Sequence, residues 1–209
     1  AMTATREALV LRRGMGDAVA AATNLRLIAG AQWSDDGDRA AAEESIDESL
    51  RLLEALPPGV DLAKSLCVCA SLRSGWSDYA GAADASSRAL ALAETLHDKP
   101  TLIEALCVAA TARLCTSNDE PAKAQLERAL SLAIEEGFDD KAGKIFVVLQ
   151  TWVMNHRDYA RSLDLARRGI AYCEARDLDS HLAMIHDRRA TALAEMGRWS
   201  EADDDIDRA

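Results

Sequence analysis

Apolar residues recur three and four positions apart along nearly the whole chain, the spacing that puts them on one side of an α-helix. Short polar or turn-forming breaks interrupt the pattern. Asp35-Asp36-Gly37-Asp38, Pro57-Pro58-Gly59, Ser117-Asn118-Asp119-Glu120-Pro121 and Glu136-Gly137 are such breaks, supplying cap and turn residues. The pattern predicts helices at about 3–13, 17–33, 38–56, 60–75, 78–97, 100–116, 119–136, 139–156, 158–176, 179–196 and 199–209. No break is long enough to divide domains, so residues 3–209 are expected to form a single domain of about five helix pairs.

The helices themselves repeat. A shift of forty residues superposes Leu50-Arg51-Leu52-Leu53-Glu54, Leu90-Ala91-Leu92-Ala93-Glu94, Leu130-Ser131-Leu132-Ala133 and Ile170-Ala171-Tyr172-Cys173-Glu174, and Tyr79, Asp119, Tyr159 and Trp199 each open a new amphipathic run. A fixed period of that size is the mark of stacked helix pairs. Three columns of the register are small: Gly30, Ala70, Ala110, Gln150 and Ala190; Ala42, Ala82, Ala122, Ser162 and Ala202; Ser49, Ala89, Ala129, Gly169 and Ala209. Small side chains let helices cross closely, and Gln150 is the one misfit. Ala8-Leu9-Val10-Leu11 falls close to the same register one period earlier, so both ends are expected to be cut ends of a longer array.

These columns, with Tyr79 and Trp199 between the helices, resemble tetratricopeptide (TPR) repeats, although the period is longer than the usual 34 and no Pro closes each unit. The resemblance implies an all-α, TPR-like right-handed superhelix of antiparallel helix pairs. It also implies that the first helix of each pair lines a concave groove holding a protein or peptide partner. The groove candidates are Lys64, Ser71, Arg73, Glu104, Thr111, Arg113, Lys144, Thr151, Asn155, Asp187, Thr191 and Glu195. Ala31, Ser71, Thr111, Thr151 and Thr191 are one column, a polar ladder on otherwise apolar helices. Helical Thr can also bond back to its own backbone.

Longer stretches resemble the helical sensor region of large ATP-dependent bacterial transcriptional regulators of the LuxR type (MalT-like). They are Glu7-Ala8-Leu9-Val10-Leu11-Arg12-Arg13, Leu50-Arg51-Leu52-Leu53-Glu54-Ala55-Leu56-Pro57-Pro58-Gly59, Arg88-Ala89-Leu90-Ala91-Leu92-Ala93-Glu94 and Gly169-Ile170-Ala171-Tyr172-Cys173-Glu174-Ala175-Arg176-Asp177-Leu178-Asp179-Ser180. That resemblance implies a sensor segment between an ATPase module and a helix-turn-helix, biasing a switch in transcription regulation. A stand-alone TPR adaptor is the alternative, and a small-molecule effector domain or an enzyme a third reading.

Composition narrows the chemistry. Forty-one alanines and only four prolines favour closely packed helices. A net charge of −11 argues against direct nucleic-acid contact, which needs clustered Lys and Arg. No long uncharged apolar window and no signal-peptide profile occur, so a cytoplasmic chain without membrane contact is expected. Cys67, Cys69, Cys107, Cys115 and Cys173 include no C-x-x-C pair and read as small buried hydrophobes. His181 and His186 are five apart, where metal ligands on one helix face need four, and Gly143-Lys144 lacks the other elements of a phosphate loop. No catalytic residue, metal or cofactor is expected. Asp203-Asp204-Asp205-Ile206-Asp207 reads as a solvated helix face with Ile206 at the apolar column. Trp33, Trp76, Trp152 and Trp199 lie near helix ends, where they either seal neighbouring units or leave a patch for self-association.

Overall fold

The computed structural model describes residues 2–35, 37–114 and 120–206. Among these it places α1 (Met2–Gly14), α2 (Ala18–Ser34), α3 (Arg39–Glu54), α4 (Val60–Gly75), α5 (Tyr79–Leu96) and α6 (Lys99–Leu114). They are followed by α7 (Glu120–Glu135), α8 (Asp139–Asn155), α9 (Tyr159–Glu174), α10 (Asp179–Glu195) and α11 (Trp199–Ile206). The chain is all-α among the described residues, and no helix is long and apolar enough to cross a membrane. The parts of the expected helices at 115–116, 119 and 207–209 lie outside the described residues, as do Cys115, Asp119, Asp207 and Ala209.

The repeat is built by its turns as much as by its apolar faces. Asp38, Asp78 and Asp158 occupy one column and each caps the following second helix, accepting from Ala41 N at 3.1 Å, Gly81 N at 3.0 Å and Arg161 N at 3.1 Å. Just before each cap the backbone turns left-handed, with φ of 64° at Gly37, 62° at Ser77 and 57° at Arg157, and Gly197 repeats the turn at 75° before α11. The return turns do the same at His97, Gly137 and Asp177, again forty apart, with φ of 53°, 71° and 54°. A period defined by paired left-handed turns fixes helix length, and helix length fixes which side chains meet.

Two compact units result, Ala1–Asn118 and Asp119–Ala209. In the first, α2 packs on α3 and α4, and α4 packs on α5 and α6. Its core joins Ile46, Leu53, Leu66 and Leu72 to Ala22, Ala70, Ala89 and Ala93. In the second, α8 packs on α7, α9 and α10, with Leu126, Ile145, Phe146, Leu149 and Ile185 buried. The small columns are interior: Ala70, Ala110, Ala42, Ala82, Ala122, Ser162, Ser49, Ala89 and Ala129 are all at most 1% exposed. A Cβ on Gly169 would lie 2.9 Å from Ile185 Cδ1, so a larger residue there would have to push the Ile185 side chain aside.

Gln150 is accommodated by burial. It is 1% exposed, its amide donates weakly to Ile185 O at 3.5 Å, and its Oε1 has no partner among the described residues. Trp33 and Trp76 meet edge to face at 6.0 Å, and Trp152 lies under Lys123, whereas Trp199 is 66% exposed.

The acidic run of α11 departs from expectation. Asp205 is fully buried, bound to His186 Nδ1 at 2.7 Å and gripped by Arg189 through Nε and Nη2, while Ile206 is 62% exposed. Two cationic or polar side chains on α10 draw the carboxylate inward. The face that Ile46 and Leu126 bury in earlier repeats stays open at Ile206, because α11 packs on α10 alone among the described elements.

Candidate functional site

Residues at i, i+3, i+4 and i+7 share a helix face because each residue advances roughly 100°. On α4 this face carries Asp61, Lys64, Val68 and Ser71, and on α6 it carries Thr101, Glu104, Val108 and Thr111. Ser71 is exposed, and Lys64, Val68, Glu104 and Thr111 are half-buried, so in the first unit a polar rim flanks a pair of valines. In the second unit α8 offers Lys144, Val148, Thr151 and Asn155, and α10 offers Met184, Arg188, Thr191 and Glu195. Lys144, Asn155, Thr191 and Glu195 are exposed there, with Asp187 exposed at the edge of the α10 face.

Arg73 and Arg113 do not join these faces. Each lies two residues, or about 200°, beyond the ladder residue of its helix. Arg73 instead pairs with the capping carboxylate of Asp78 at 3.3 Å, bracing the α4–α5 turn. Arg113 is exposed in the last turn of α6.

The threonine ladder has its hydroxyl protons committed. Thr111 donates to Cys107 O at 2.8 Å, Thr151 to Val147 O at 2.8 Å and Thr191 to Asp187 O at 3.0 Å. What these residues present outward is therefore methyl groups and oxygen lone pairs. Glu195 is held too, accepting from Tyr159 OH at 3.2 Å.

Val68, Val108, Val148, Met184 and Arg188 were not among the expected residues. The signal was present: Ile28, Val68, Val108, Val148 and Arg188 form one column, a single turn from the ladder column. Arg188 donates through Nε to Thr151 Oγ1 at 2.7 Å and through Nη1 to Met184 O at 3.0 Å.

Elsewhere the titratable groups serve packing. His181 turns to Asp140 on α8 at 3.0 Å and its ring lies against Gly143, where a Cβ would come within 2.6 Å of it. His186 turns to Asp205 on α11, so the two histidines face different partners. Among the described residues no three His, Cys, Asp or Glu side chains gather as a metal site. Burial, and after it the hydrogen bond to Asp139, push the Tyr172 phenol up to about 12, which makes it a fixed donor at neutral pH and not a base. Burial likewise raises the Cys69 and Cys173 thiols. On the second-helix side, a cavity of about 320 Å³ between α7, α8 and α9 has Leu130, Leu149 and Leu165 in its lining and is spanned by the Arg161–Glu127 pair at 2.7 Å.

No protein-family model and no curated protein sequence matches the chain. Solved structures do. A Rap protein complexed with competence and sporulation factor aligns at 12% identity and TM-score 0.78, over 91% of this chain and 52% of that one. The Rap conjugation gene regulator of plasmid pLS20, in complex with the Phr* peptide, aligns at 16% identity and TM-score 0.73, over 94% of this chain and 54% of that one. A putative kinesin light chain from Podosopora anserina with nearly identical TPR-like repeats aligns at 13% identity and TM-score 0.65, over 89% of this chain and 92% of that one. The chain spans about half the length of the two Rap structures. At such identities the likeness establishes the fold, a TPR-like helical repeat, and nothing finer.

Proposed function

We propose that this chain is a non-catalytic scaffold whose first-helix faces hold an extended peptide segment of a protein partner. One observation carries the reading: in each unit a half-buried valine is framed by polar residues of its own helix face, Val68 by Lys64 and Ser71, and Val148 by Lys144, Thr151 and Asn155. An apolar centre with a polar rim suits the side chains of a bound peptide. The Rap structures, described as complexes with a factor and with a peptide, make such an occupant reasonable for this fold. Lys64, Ser71, Glu104, Thr111, Lys144, Thr151, Asn155, Asp187, Thr191 and Glu195 are the contact residues of this reading, and Arg73 and Arg113, which stand off these faces, are left out of it. Residues 3–209 are read as one repeat domain.

In its wider context the domain serves as the sensor segment of a LuxR-type, MalT-like transcriptional regulator, where occupancy of the face biases a switch. The support for that role is the sequence resemblance alone. The reading frame around the segment tests it, since an ATPase phosphate loop upstream and a helix-turn-helix downstream are required.

Binding of a pool of acetylated, amidated nonapeptides tests the scaffold reading. Wild-type protein is expected to retain a subset that Ser71→Trp together with Asn155→Trp loses, with unchanged thermal unfolding. Retention of the same subset by the doubly blocked variant would place binding elsewhere and overturn the proposal.

A further inference from the structure

Arg188 stands where three earlier repeats carry Val68, Val108 and Val148. A guanidinium thus replaces a methyl pair on the face read above as the peptide site. Both of its hydrogen-bond acceptors are neutral, the Thr151 hydroxyl and the Met184 carbonyl. Arg161, Arg176 and Arg189 of the same unit each reach a carboxylate instead. Thr151 is a directed acceptor here, because its own proton goes to Val147 O and leaves the oxygen lone pairs for Arg188. Nε and Nη1 are each engaged, on different edges of the guanidinium, so the group is fixed in place while Nη2 has no acceptor among the described residues.

A positioned guanidinium without a counter-charge is preorganised for bidentate capture of a carboxylate. Lys144 shares the α8 face with Thr151 and adds positive charge. Of the nearby acids on α10, Glu195 is already bonded to Tyr159, and Asp187 lies off the face at its edge. We infer that Arg188 is the selectivity position of the peptide face and takes the side-chain carboxylate of an Asp or Glu in the bound peptide. Exposed Met184 and Thr191 lie one turn to either side of it along α10, so the face is open on both sides of Arg188 and leaves room for a chain to run past it. A side-chain carboxylate carried by a through-running chain fits that setting. This inference rests on the peptide-binding reading.

Three pools of acetylated, amidated nonapeptides, with Glu, Gln or Lys fixed at the centre and the remaining positions randomised, test it. Wild type is expected to bind the Glu pool about tenfold more tightly than the Gln pool, the size of one charge-assisted hydrogen-bond pair. Arg188→Met should erase that preference, Arg188→Glu should reverse it toward the Lys pool, and Thr151→Val should reduce it without removing the charge. Absence of binding to every pool would overturn the peptide site and the subsite together. Binding without a Glu preference, or a preference that survives Arg188→Met, would overturn the subsite while leaving the peptide site standing. A preference seen only with free-acid peptides would contradict the assignment to a side chain.

Discussion

A left-handed backbone residue is comfortable for glycine and strained for others, and here the same turn is made by both kinds. Gly137 sits at φ 71° with nothing within 4 Å of where an added Cβ would lie, so any cost of Gly137→Ala is conformational. A loss of about 1 kcal/mol is expected by urea unfolding. The converse, Arg157→Gly at φ 57°, is expected to be neutral or to stabilise by about 0.5 kcal/mol, after the entropy that glycine adds to the unfolded chain. Asp205 presents a different residue-scale case. Asp205→Ala leaves His186 and the partly exposed Arg189 without their acceptor and should cost about 2 kcal/mol, read as a lower denaturation midpoint. Equal stability of that variant would mean that the buried carboxylate is dispensable. The thiols give a third check: burial raises Cys69 and Cys173, so at neutral pH they are thiols and unreactive. Mass-mapped alkylation should label them only on the timescale of unfolding, and rapid labelling of folded protein would contradict their placement.

Between helices, the small columns set how close neighbouring axes come. Ala110 is wholly buried, and Ala110→Leu should destabilise by about 2 kcal/mol through overpacking, measured by thermal or urea unfolding. The positions of the helices were legible in the sequence because apolar periodicity and turn residues coincide at each boundary. The caps were legible only in part: Asp78 and Asp158 stand forty and a hundred and twenty residues after Asp38, but their role rests on left-handed turns at Ser77 and Arg157, which no glycine announces. Asp205 misleads a reading by local charge, yet its column partners Ala85 and Leu165 are both 5% exposed. The ladder threonines were visible as a column, whereas the commitment of their protons to the backbone is a matter of rotamer that composition does not encode. Arg188 escaped for the opposite reason: it breaks an apolar column, and a column search rewards sameness.

Across the molecule, net charge is −11, while the face proposed for the peptide in the second unit carries Lys144 and Arg188. A local cation on an acidic protein discourages unselective binding of polyanions and leaves a short acidic segment as a suitable occupant. Within each unit ion pairs tie second helices to one another, Arg88 to Glu54 at 2.5 Å and Arg161 to Glu127 at 2.7 Å, while His181 and Asp140 join the first helices α10 and α8 at 3.0 Å. The first helices α4, α6 and α8 carry the valine column. The division of labour follows from the repeat and needs no catalytic group.

Site-specific photo-crosslinking tests this division most directly. A benzophenone side chain placed at Ser71 or Asn155 on first helices, and at Glu94 or Arg167 on second helices, is irradiated with the central-Glu nonapeptide pool; all four positions are exposed. Adducts at Ser71 or Asn155 and not at Glu94 or Arg167 are the expected result. Adducts confined to Glu94 or Arg167 would show that the partner sits on the other side of the helix pairs, and the account of the first-helix face would fail.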